Sequence, residues 1–396
     1  MTKIHKKKIN ENQNVYEAAL ERIEHLYNSY DDVVVSFSGG KDSTALLLCC
    51  IDVAKKLNKL PVHAVFYDEE AIHPPTIDYV KRVMDSEEVY LEWYCLPVKH
   101  RNACSNKQPH WYCWHPEEED IWTREMPPWG IRKHSRFKMG MSMQDWGKEH
   151  FKNTNKIVVQ GIRTEESIRR YRVVAMKKNE NYIAKAENGV YFGYPIYDWG
   201  SDDVWKLVKL KDADYNETYD IFNRTDQYGH LLKQRVCPPY GEEPLRGLYL
   251  YAECFPELWS KMIHRVDGAA TAARYGNTEL YSQGYKPDQT SWRAHIDSVL
   301  EQFSGADRKQ VTDTVNRAIK HHKKLTHDAI PEENAHPLTG VSWKFLSKIV
   351  TRGDFKGRVI QNLSNEASAE LRKMGITIEE AKERYGKKGR LSTSEH

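Results

Sequence analysis

The feature of the sequence that most restricts its fold is an apolar run, a polar loop and a helical run in immediate succession. The run Val33-Val34-Val35 is typical of a buried strand, and residues 43–57 carry apolar side chains at a helical spacing. The loop reads Ser36-Phe37-Ser38-Gly39-Gly40-Lys41-Asp42-Ser43-Thr44. Amides at a helix start lack partners and carry partial positive charge, and glycines let the backbone approach an anion closely. The unit therefore predicts a phosphate-binding loop, in which Lys41 adds a charge and the Ser and Thr side chains offer hydroxyl groups.

Strands and helices alternate along the first half of the chain. Strands are predicted over 33–37, 62–67, 89–96 and 156–160, and helices over 15–30, 43–57, 76–84 and about 165–177. This alternation predicts right-handed crossovers and a parallel sheet with helices on both faces. Helical periodicity dominates later, with helices predicted over 241–266, 292–303 and 308–325. We therefore expect an α/β fold followed by a mainly helical C-terminal domain.

Three polar segments directly follow predicted strands. They are the loop at 36–44, the acidic cluster Asp68-Glu69-Glu70, and Gly161-Ile162-Arg163-Thr164-Glu165-Glu166. In open parallel sheets, ligands bind outside the carboxyl ends of the strands. We therefore expect the three segments to lie along one edge of the sheet and to form a common ligand site.

The loop does not have the spacing of a Walker A motif. That motif requires glycine where Val35 stands and Ser or Thr where Asp42 stands. The segment 36–43 is followed by the strand-end Asp68, by 161–167, and by Tyr194-Pro195-Ile196-Tyr197-Asp198-Trp199 with Asp203-Val204-Trp205. In this order the segments resemble the PP-loop of the ATP pyrophosphatase superfamily, and specifically the phosphoadenosine phosphosulfate (PAPS) reductase family. The resemblance covers roughly residues 30–210.

The resemblance implies an adenine nucleotide alpha hydrolase-like fold and a site for an adenosine nucleotide. Lys41 and the backbone of 38–44 would hold the pyrophosphate moiety, and Ser43 would donate to it. Arg163 would reach the phosphate or sulfate end, and Asp68 would hold Mg²⁺ or a ribose hydroxyl. The implied site comprises Ser36, Phe37, Ser38, Gly39, Gly40, Lys41, Asp42, Ser43, Thr44, Asp68, Gly161 and Arg163, with Lys41 and Arg163 as catalytic cations.

Other roles remain open for three of these side chains. Arg163 could pair with Glu165 or Glu166 at a helix start. Asp68 could be a solvated strand end. Asp42 could cap the loop helix, where a carboxylate is favourable.

The sequence departs from the reductases of this family in its cysteines. Those enzymes depend on a cysteine in a Cys-Gly-x-His-like element near the C-terminus, whereas no cysteine follows Cys254 here. The adjacent Cys49 and Cys50 lie among leucines, where core packing is the expected role. We therefore expect an enzyme that binds ATP with Mg²⁺ and cleaves it to AMP and pyrophosphate, by adenylylation or hydrolysis. PAPS is the alternative nucleotide, and a sulfonucleotide reductase would need a thiol from another chain.

A long insertion, residues 99–150, separates the third and fourth predicted strands. It contains Cys104, His110, Cys113, His115 and His134, together with Trp111, Trp114, Trp122, Trp129 and Trp146. The spacing of the Cys and His residues fits zinc poorly, and we expect neither zinc nor an iron–sulfur cluster. The tryptophans argue against disorder. They are expected to pack the insertion as a lid over the sheet edge, or to stack on a base or a partner.

Two later segments carry a narrower resemblance. Arg235-Val236-Cys237-Pro238-Pro239-Tyr240-Gly241 and Val266-Asp267-Gly268-Ala269-Ala270 resemble the immunoglobulin-binding regulator A-type subgroup of bacteria and phages. Its members are commonly encoded beside a ParB/sulfiredoxin-like protein, which implies a protein partner and a role in gene regulation or phage–host conflict, including phage defence. The alternative function is therefore a non-catalytic, nucleotide-sensing regulatory subunit that acts with such a partner.

The length of 396 residues favours two domains over one. The patterns along the chain predict an N-terminal helix (1–30), the nucleotide-binding domain (31–235) and the helical domain (236–396). No apolar run approaches the roughly 18 to 20 residues that span a bilayer, and no apolar stretch follows the basic start. Seven cysteines without a Cys-x-x-Cys pair agree with a reduced compartment. We expect a cytoplasmic protein that does not bind membranes.

Charge gives no argument of its own for a nucleic-acid partner, because the formal net charge is only +3. Short basic clusters occur at 6–8, 321–324 and 387–390. Direct DNA binding by the C-terminal domain is therefore kept as an alternative that the composition does not favour.

Overall fold

The valine run lies at the centre of a six-stranded sheet in the structure of the chain, which is a computed structural model. The structure describes residues 13–166, 170–171, 174, 182–186, 188–225, 239–241, 247–275, 290–351, 353–355, 357 and 359–387. Two compact units are present. The first comprises Met1–His100, Tyr112–Pro239 and Leu250–Arg265, and the second comprises Arg101–Trp111, Tyr240–Tyr249 and Val266–His396.

The strands are β1 Asp32–Ser36, β2 Val62–Tyr67, β3 Val89–Tyr94, β4 Lys99–Arg101, β5 His110–Tyr112, β6 Lys156–Val159, β7 Ile183–Lys185 and β8 Tyr191–Gly193. The large sheet has the order β3-β2-β1-β6-β8-β7, and its neighbours are parallel except β7 and β8. The prediction of an α/β fold with a parallel sheet is confirmed, and the four predicted strands correspond to β1, β2, β3 and β6. Strands β7 and β8 were not predicted, because three residues are too few to show a periodicity.

The helices that accompany this sheet are α1 Val15–Ser29, α2 Lys41–Leu57, α3 Pro74–Met84, α4 Met143–His150, α5 Ser201–Leu210, α6 Thr218–Thr225, α7 Tyr249–Cys254 and α8 Pro256–Arg265. Short 3-10 helices span Pro116–Ile121 and Thr164–Glu166. The helix predicted over 165–177 starts at the second of them, and most of its remaining residues lie outside the described part. The single helix predicted over 241–266 is wrong. Pro256, which cannot donate a backbone hydrogen bond, ends one helix and begins the next.

The segment at 195–199, part of the family resemblance, anchors the first helix. Arg22 of α1 donates to the carbonyl of Pro195 at 2.7 Å and forms a buried bidentate pair with Asp198, both contacts at 2.9 Å. The indole of Trp199 donates to the carbonyl of Val15 at 2.9 Å. Bidentate Arg–carboxylate pairs are strong and geometrically specific. The segment therefore fixes α1 in the first unit.

The second unit is mainly helical, as predicted. Its helices are α9 Ala269–Tyr275, α10 Trp292–Leu300, α11 Gly305–Leu325, α12 Trp343–Thr351, α13 Leu363–Met374 and α14 Ile378–Tyr385, with a 3-10 helix at Ile360–Asn362. One apolar core joins α10, α11, α12 and the start of α13, and it consists of Ile296, Val299, Phe303, Val311, Val315, Ala318, Val341, Phe345, Leu346, Ile349, Val350, Phe355 and Leu363. Among the residues that the structure describes, no helix has the length and apolar character needed to cross a membrane.

Candidate functional site

The glycine loop turns sharply between β1 and α2 and is tied internally. Gly39 has a φ of 71°, and a Cβ there would lie 2.9 Å from Val80 Cγ2, so that only glycine fits without strain. Ser43 Oγ accepts from the amide of Ser38 at 3.2 Å and donates to the carbonyl of Gly40 at 2.9 Å. Gly40 is the N-cap of α2 and has no side chain to satisfy the first amides of the helix. The sequence thus forms the helix start that was expected to bind an anion.

Two buried cations meet at this loop on one carboxylate. Lys41 Nζ lies 3.1 Å from Asp42 Oδ2, and Arg163 Nε lies 2.7 Å from Asp42 Oδ1. The Lys41 and Arg163 side chains are only 7% and 5% exposed, whereas that of Asp42 is 18% exposed. Asp42 therefore does not only lie in the first turn of α2, where a carboxylate is favourable. It also pairs with both predicted catalytic cations.

Gly161 makes this meeting possible. A Cβ at Gly161 would lie 2.8 Å from the carbonyl carbon and oxygen of Asp42, so the segment after β6 passes against the first turn of α2 only as glycine. The structure thus brings Gly161 and Arg163 to the loop. Arg163 also pairs with Glu165 at 3.0 Å, so the alternative contact predicted for it is present as well.

Asp68 follows β2 and is engaged by protein partners. Its carboxylate accepts from Trp93 Nε1 at 2.8 Å and from the amide of Glu70 at 3.0 Å, and it pairs with Arg124 through both oxygens. Its side chain is 0% exposed, so the alternative of a solvated strand end is wrong. The role of Asp68 as a ligand of Mg²⁺ or of a ribose hydroxyl stays a prediction, and it would require the carboxylate to exchange its present partners.

The insertion after β3 packs over the carboxyl end of β2. Trp114 Nε1 donates to the carbonyl of Asp68 at 2.8 Å, and the amides of Trp114 and Thr123 donate to the Glu70 carboxylate at 2.7 and 3.0 Å. Glu70, with a φ of 66°, is fully buried and pairs with Arg265 Nε at 2.7 Å. Of the two alternatives for the tryptophans, packing over the sheet edge applies to Trp114.

Four cysteines of the first unit are buried: Cys49, Cys50, Cys95 and Cys113. Burial raises the pKa of the Cys49, Cys50, Cys95 and Cys113 thiols, and Cys113 Sγ contacts the Leu96 carbonyl at 3.3 Å. Because the thiolate is the nucleophile and the metal ligand, these thiols are poorly suited to either role. The described residues contain no group of three or more His, Cys, Asp or Glu arranged to hold a metal ion. Cys237 lies outside the described residues.

Sequence reasoning missed the residues that support the loop from α3 and α6. Asn216 Nδ2 donates to the carbonyl of Gly39 at 2.9 Å, and the amide of Lys41 donates to the hydroxyl of Tyr219 at 3.0 Å. Thr44 Oγ1 lies 2.9 Å from the hydroxyl of Tyr79. These contacts join residues far apart in the chain, and no local motif signals them.

The order of the sheet defines an α/β domain whose carboxyl edge carries the glycine loop and the two cations. Comparison with known families agrees with this class. Residues 32–224 match the family model of the phosphoadenosine phosphosulfate reductase domain, and residues 230–384 match a domain of unknown function (DUF3440). The first part of the chain is therefore similar to PAPS reductase domains.

A similar protein is the uncharacterized protein YbdN of Escherichia coli (strain K12). It is 27% identical over 374 residues, with 88% of this chain and 90% of YbdN covered. Among solved structures, the PAPS reductase of Candida auris in a phosphate complex is 14% identical, covering 52% of this chain and 85% of that one, with a TM-score of 0.31. The FMN adenylyltransferase of Candida glabrata in complex with ATP is 13% identical, covering 54% and 62%, with a TM-score of 0.32. TM-scores at this level do not define a shared fold, and the fold assignment rests on the sheet order.

Proposed function

We propose that the first unit binds ATP, with Mg²⁺ as part of the substrate, and cleaves it between the α- and β-phosphates to give AMP and pyrophosphate. The observation that carries the proposal is the meeting of Lys41 and Arg163 on Asp42 at the glycine loop. Two buried cations from separate strand ends, beside a helix start, form a site for a multiply charged anion.

The chemistry asks for charge stabilisation rather than a covalent intermediate. An acceptor hydroxyl, carboxylate or water attacks the α-phosphorus, and the bond from that phosphorus to the bridging oxygen breaks. The electron pair of that bond leaves with pyrophosphate, and a proton from a hydroxyl or water acceptor passes to pyrophosphate or to solvent. The AMP unit stays bonded to a hydroxyl or carboxylate acceptor, and it is released as free AMP when water attacks. Lys41 and Arg163 would take the growing negative charge in a site where few water molecules compete. Arg163 offers directional donors, while Lys41 supplies a compact charge.

PAPS is the alternative nucleotide for the same site, since it also carries an adenosine and an anionic chain. Its reduction would require a thiol. The cysteine nearest the C-terminus, Cys254, is half-buried, with Sγ 3.3 Å from the hydroxyl of Thr225. The proposal therefore takes ATP as substrate and keeps reduction of PAPS as an outcome of the test.

The test is product analysis after incubating the purified protein with Mg²⁺ and ATP labelled at the α-phosphate. AMP and pyrophosphate are expected from the wild type and should disappear in Lys41→Ala. A matched control is Lys56→Ala, since Lys56 lies at the other end of α2 in an exposed pair with Glu24. ADP with phosphate would rule out cleavage between the α- and β-phosphates. Sulfite released from PAPS in the presence of thioredoxin would favour a reductase.

A second candidate is nucleotide binding without turnover, in a regulatory subunit that acts with a ParB/sulfiredoxin-like protein. The observation in its favour is that Asp42 and Glu165 already balance both cations, so the site is electrostatically stable without a ligand. Tight binding of ATP with no AMP formed, alone and with such a partner added, would support it. AMP that appears only with the partner would instead make the partner an activator or acceptor.

A further inference from the structure

The glycine loop is supported by a short segment, residues 214–225. Asn216 and Thr218 in it are fully buried, and Asn216 Nδ2 donates both to the Gly39 carbonyl at 2.9 Å and to Thr76 Oγ1 at 2.8 Å. The hydroxyls of Thr218 and Thr76 lie 3.1 Å apart. The segment is therefore bonded to the loop and to the first turn of α3 at once.

Asn216 fixes the direction of a loop peptide. In a trans peptide unit the carbonyl and the following amide point in opposite directions. Because the Gly39 carbonyl points to Asn216, the amide of Gly40 points away from it, toward Ser38 Oγ at 3.4 Å. That contact is long, so this amide is held in place while bonded only weakly.

Tyr219 contacts Lys41 twice. Its hydroxyl accepts the Lys41 amide at 3.0 Å, and Lys41 Nζ lies 5.8 Å from the centre of its ring. The ring is buried with its edge against Trp205, at a centroid distance of 5.4 Å. A side chain packed in this way cannot swing aside without unpacking α6. The main chain and the ammonium group of Lys41 thus have one shared support.

We infer that Tyr219 is a positioning residue of the nucleotide site, which fixes the main chain of Lys41 and thereby its ammonium group for the pyrophosphate moiety. The inference rests on the proposed function, because it assumes that this moiety binds at the loop. A group held in its bound position before the ligand arrives loses less freedom on binding. The hydroxyl therefore contributes to affinity without having to touch the nucleotide.

The chain offers a matched control in Tyr215. Its ring also lies edge-on to Trp205, at 5.6 Å, and its hydroxyl is also engaged, donating to Asp220 at 2.8 Å. It makes no described contact with the loop. Tyr219→Phe and Tyr215→Phe therefore each remove one bonded hydroxyl beside the same tryptophan, and only the first removes a contact to Lys41.

The experiment is calorimetric titration of the wild type, both variants, Lys41→Ala and the double variant Tyr219→Phe with Lys41→Ala. The ligands are ATP with Mg²⁺ and, separately, inorganic pyrophosphate. Tyr219→Phe is expected to weaken both ligands about tenfold, the effect of losing one hydrogen bond, while Tyr215→Phe changes them less than about twofold. Lys41→Ala removes the ammonium group but keeps the backbone amide that the Tyr219 hydroxyl accepts, so Tyr219→Phe is expected to weaken binding by about the same factor in that background. A purely structural defect would instead weaken binding in both tyrosine variants, because each loses one bonded hydroxyl beside Trp205.

The outcomes separate this inference from the function on which it rests. Unchanged or tighter binding in Tyr219→Phe overturns the inference and leaves ATP binding intact. If the wild type binds ATP but forms no AMP, tenfold weaker ATP binding in Tyr219→Phe supports the inference and contradicts the proposed cleavage of ATP. A wild type that binds neither ATP nor pyrophosphate overturns both. Urea unfolding of each variant confirms that the titrated protein is folded.

Discussion

Two aspartates follow neighbouring parallel strands, Asp42 after β1 and Asp68 after β2, and each pairs with an arginine. Asp42 has one cation on each oxygen, Lys41 and Arg163, and is 18% exposed. Asp68 is 0% exposed and pairs with Arg124. Its carboxylate also accepts hydrogen bonds from the indole of Trp93 and the amide of Glu70. Both stand where ligands of a parallel sheet are expected. Position at a strand end therefore does not decide whether a carboxylate can exchange partners. The number of partners that it already has is the better guide.

The physical reason lies in desolvation. Breaking a buried ion pair leaves a charge without water, so Lys41 and Arg163 can release Asp42 only to another anion. Asp42 is 18% exposed and can itself turn to solvent when a phosphate takes its place. Asp68 is 0% exposed and has no such route to solvent.

The largest effect is expected from Asp68→Asn. The amide side chain has the same shape but leaves Arg124 without its counter-charge, so the free energy of unfolding should fall by about 3–5 kcal/mol. Urea unfolding followed by circular dichroism measures it. Nucleotide affinity of the folded variant should stay near that of the wild type. Normal stability with lost Mg²⁺-dependent ATP binding would make Asp68 a ligand and erase the contrast with Asp42.

A smaller effect, on binding rather than stability, is expected from Lys41→Ala. Losing a hydrogen bond to a charged group costs about 2–3 kcal/mol, or roughly 100-fold in ATP affinity. Calorimetric titration tests this, with Lys56→Ala as the control on the same helix. Equal affinity in Lys41→Ala and in the control would place the nucleotide elsewhere.

His63, on strand β2 of the same sheet, is a charged group for which no ligand is proposed, and it serves as a reference for the two aspartates. His63 lies 2.6 Å from Asp32 and 3.6 Å from Glu92. Although burial opposes it, the hydrogen bond to Asp32 and the charges of Asp32 and Glu92 raise the pKa of His63 to about 8. Since this is above the usual value near 6.5, the stabilisation is complete below about pH 6.5 and is lost as pH rises through 8.

Deprotonation of His63 is expected to lower the free energy of unfolding by about 2 kcal/mol as the pH rises from about 6 to 9. Urea unfolding at the two pH values measures it, and His63→Gln should flatten the dependence over that range. A variant with the same slope as the wild type would assign the slope to another group. The pKa of Asp32 and of Glu92 is lowered by the same contacts, so their contribution is lost only at acidic pH.

The smallest effect is expected from Asp42→Asn. Removing the carboxylate removes both a competitor for Lys41 and Arg163 and a like charge beside the triphosphate. ATP affinity should therefore rise about fivefold, close to 1 kcal/mol, as for a partly exposed pair. Calorimetry measures it, with Asp52→Asn, at a surface pair with Lys211, as the control. Weaker binding in Asp42→Asn would mean that Asp42 supports the cations more than it competes for them.

The sheet and the loop could be predicted because their signals are local. The run Val33-Val34-Val35 predicts a strand, and the glycines that follow it within a few residues predict a turn. The gathering of Lys41, Gly161 and Arg163 followed from the rule for the carboxyl ends of parallel strands. The closure of Asp68 could not be foreseen, because it depends on Arg124, 56 residues later. Tyr219 was missed for the same reason, at a separation of 178 residues from Lys41.

The first unit is completed by a segment that comes late in the chain. It includes Leu250–Arg265, and Arg265 pairs with the buried Glu70 across 195 residues of sequence. A ribosome delivers the chain from its N-terminus, and domains made of one continuous segment can fold as they emerge. Here the carboxylate of Glu70 has to wait until its arginine has been synthesised and has left the exit tunnel. Throughout that time the nascent sheet carries at its edge an acid that lacks its arginine, so completion of this edge is timed by the end of α8.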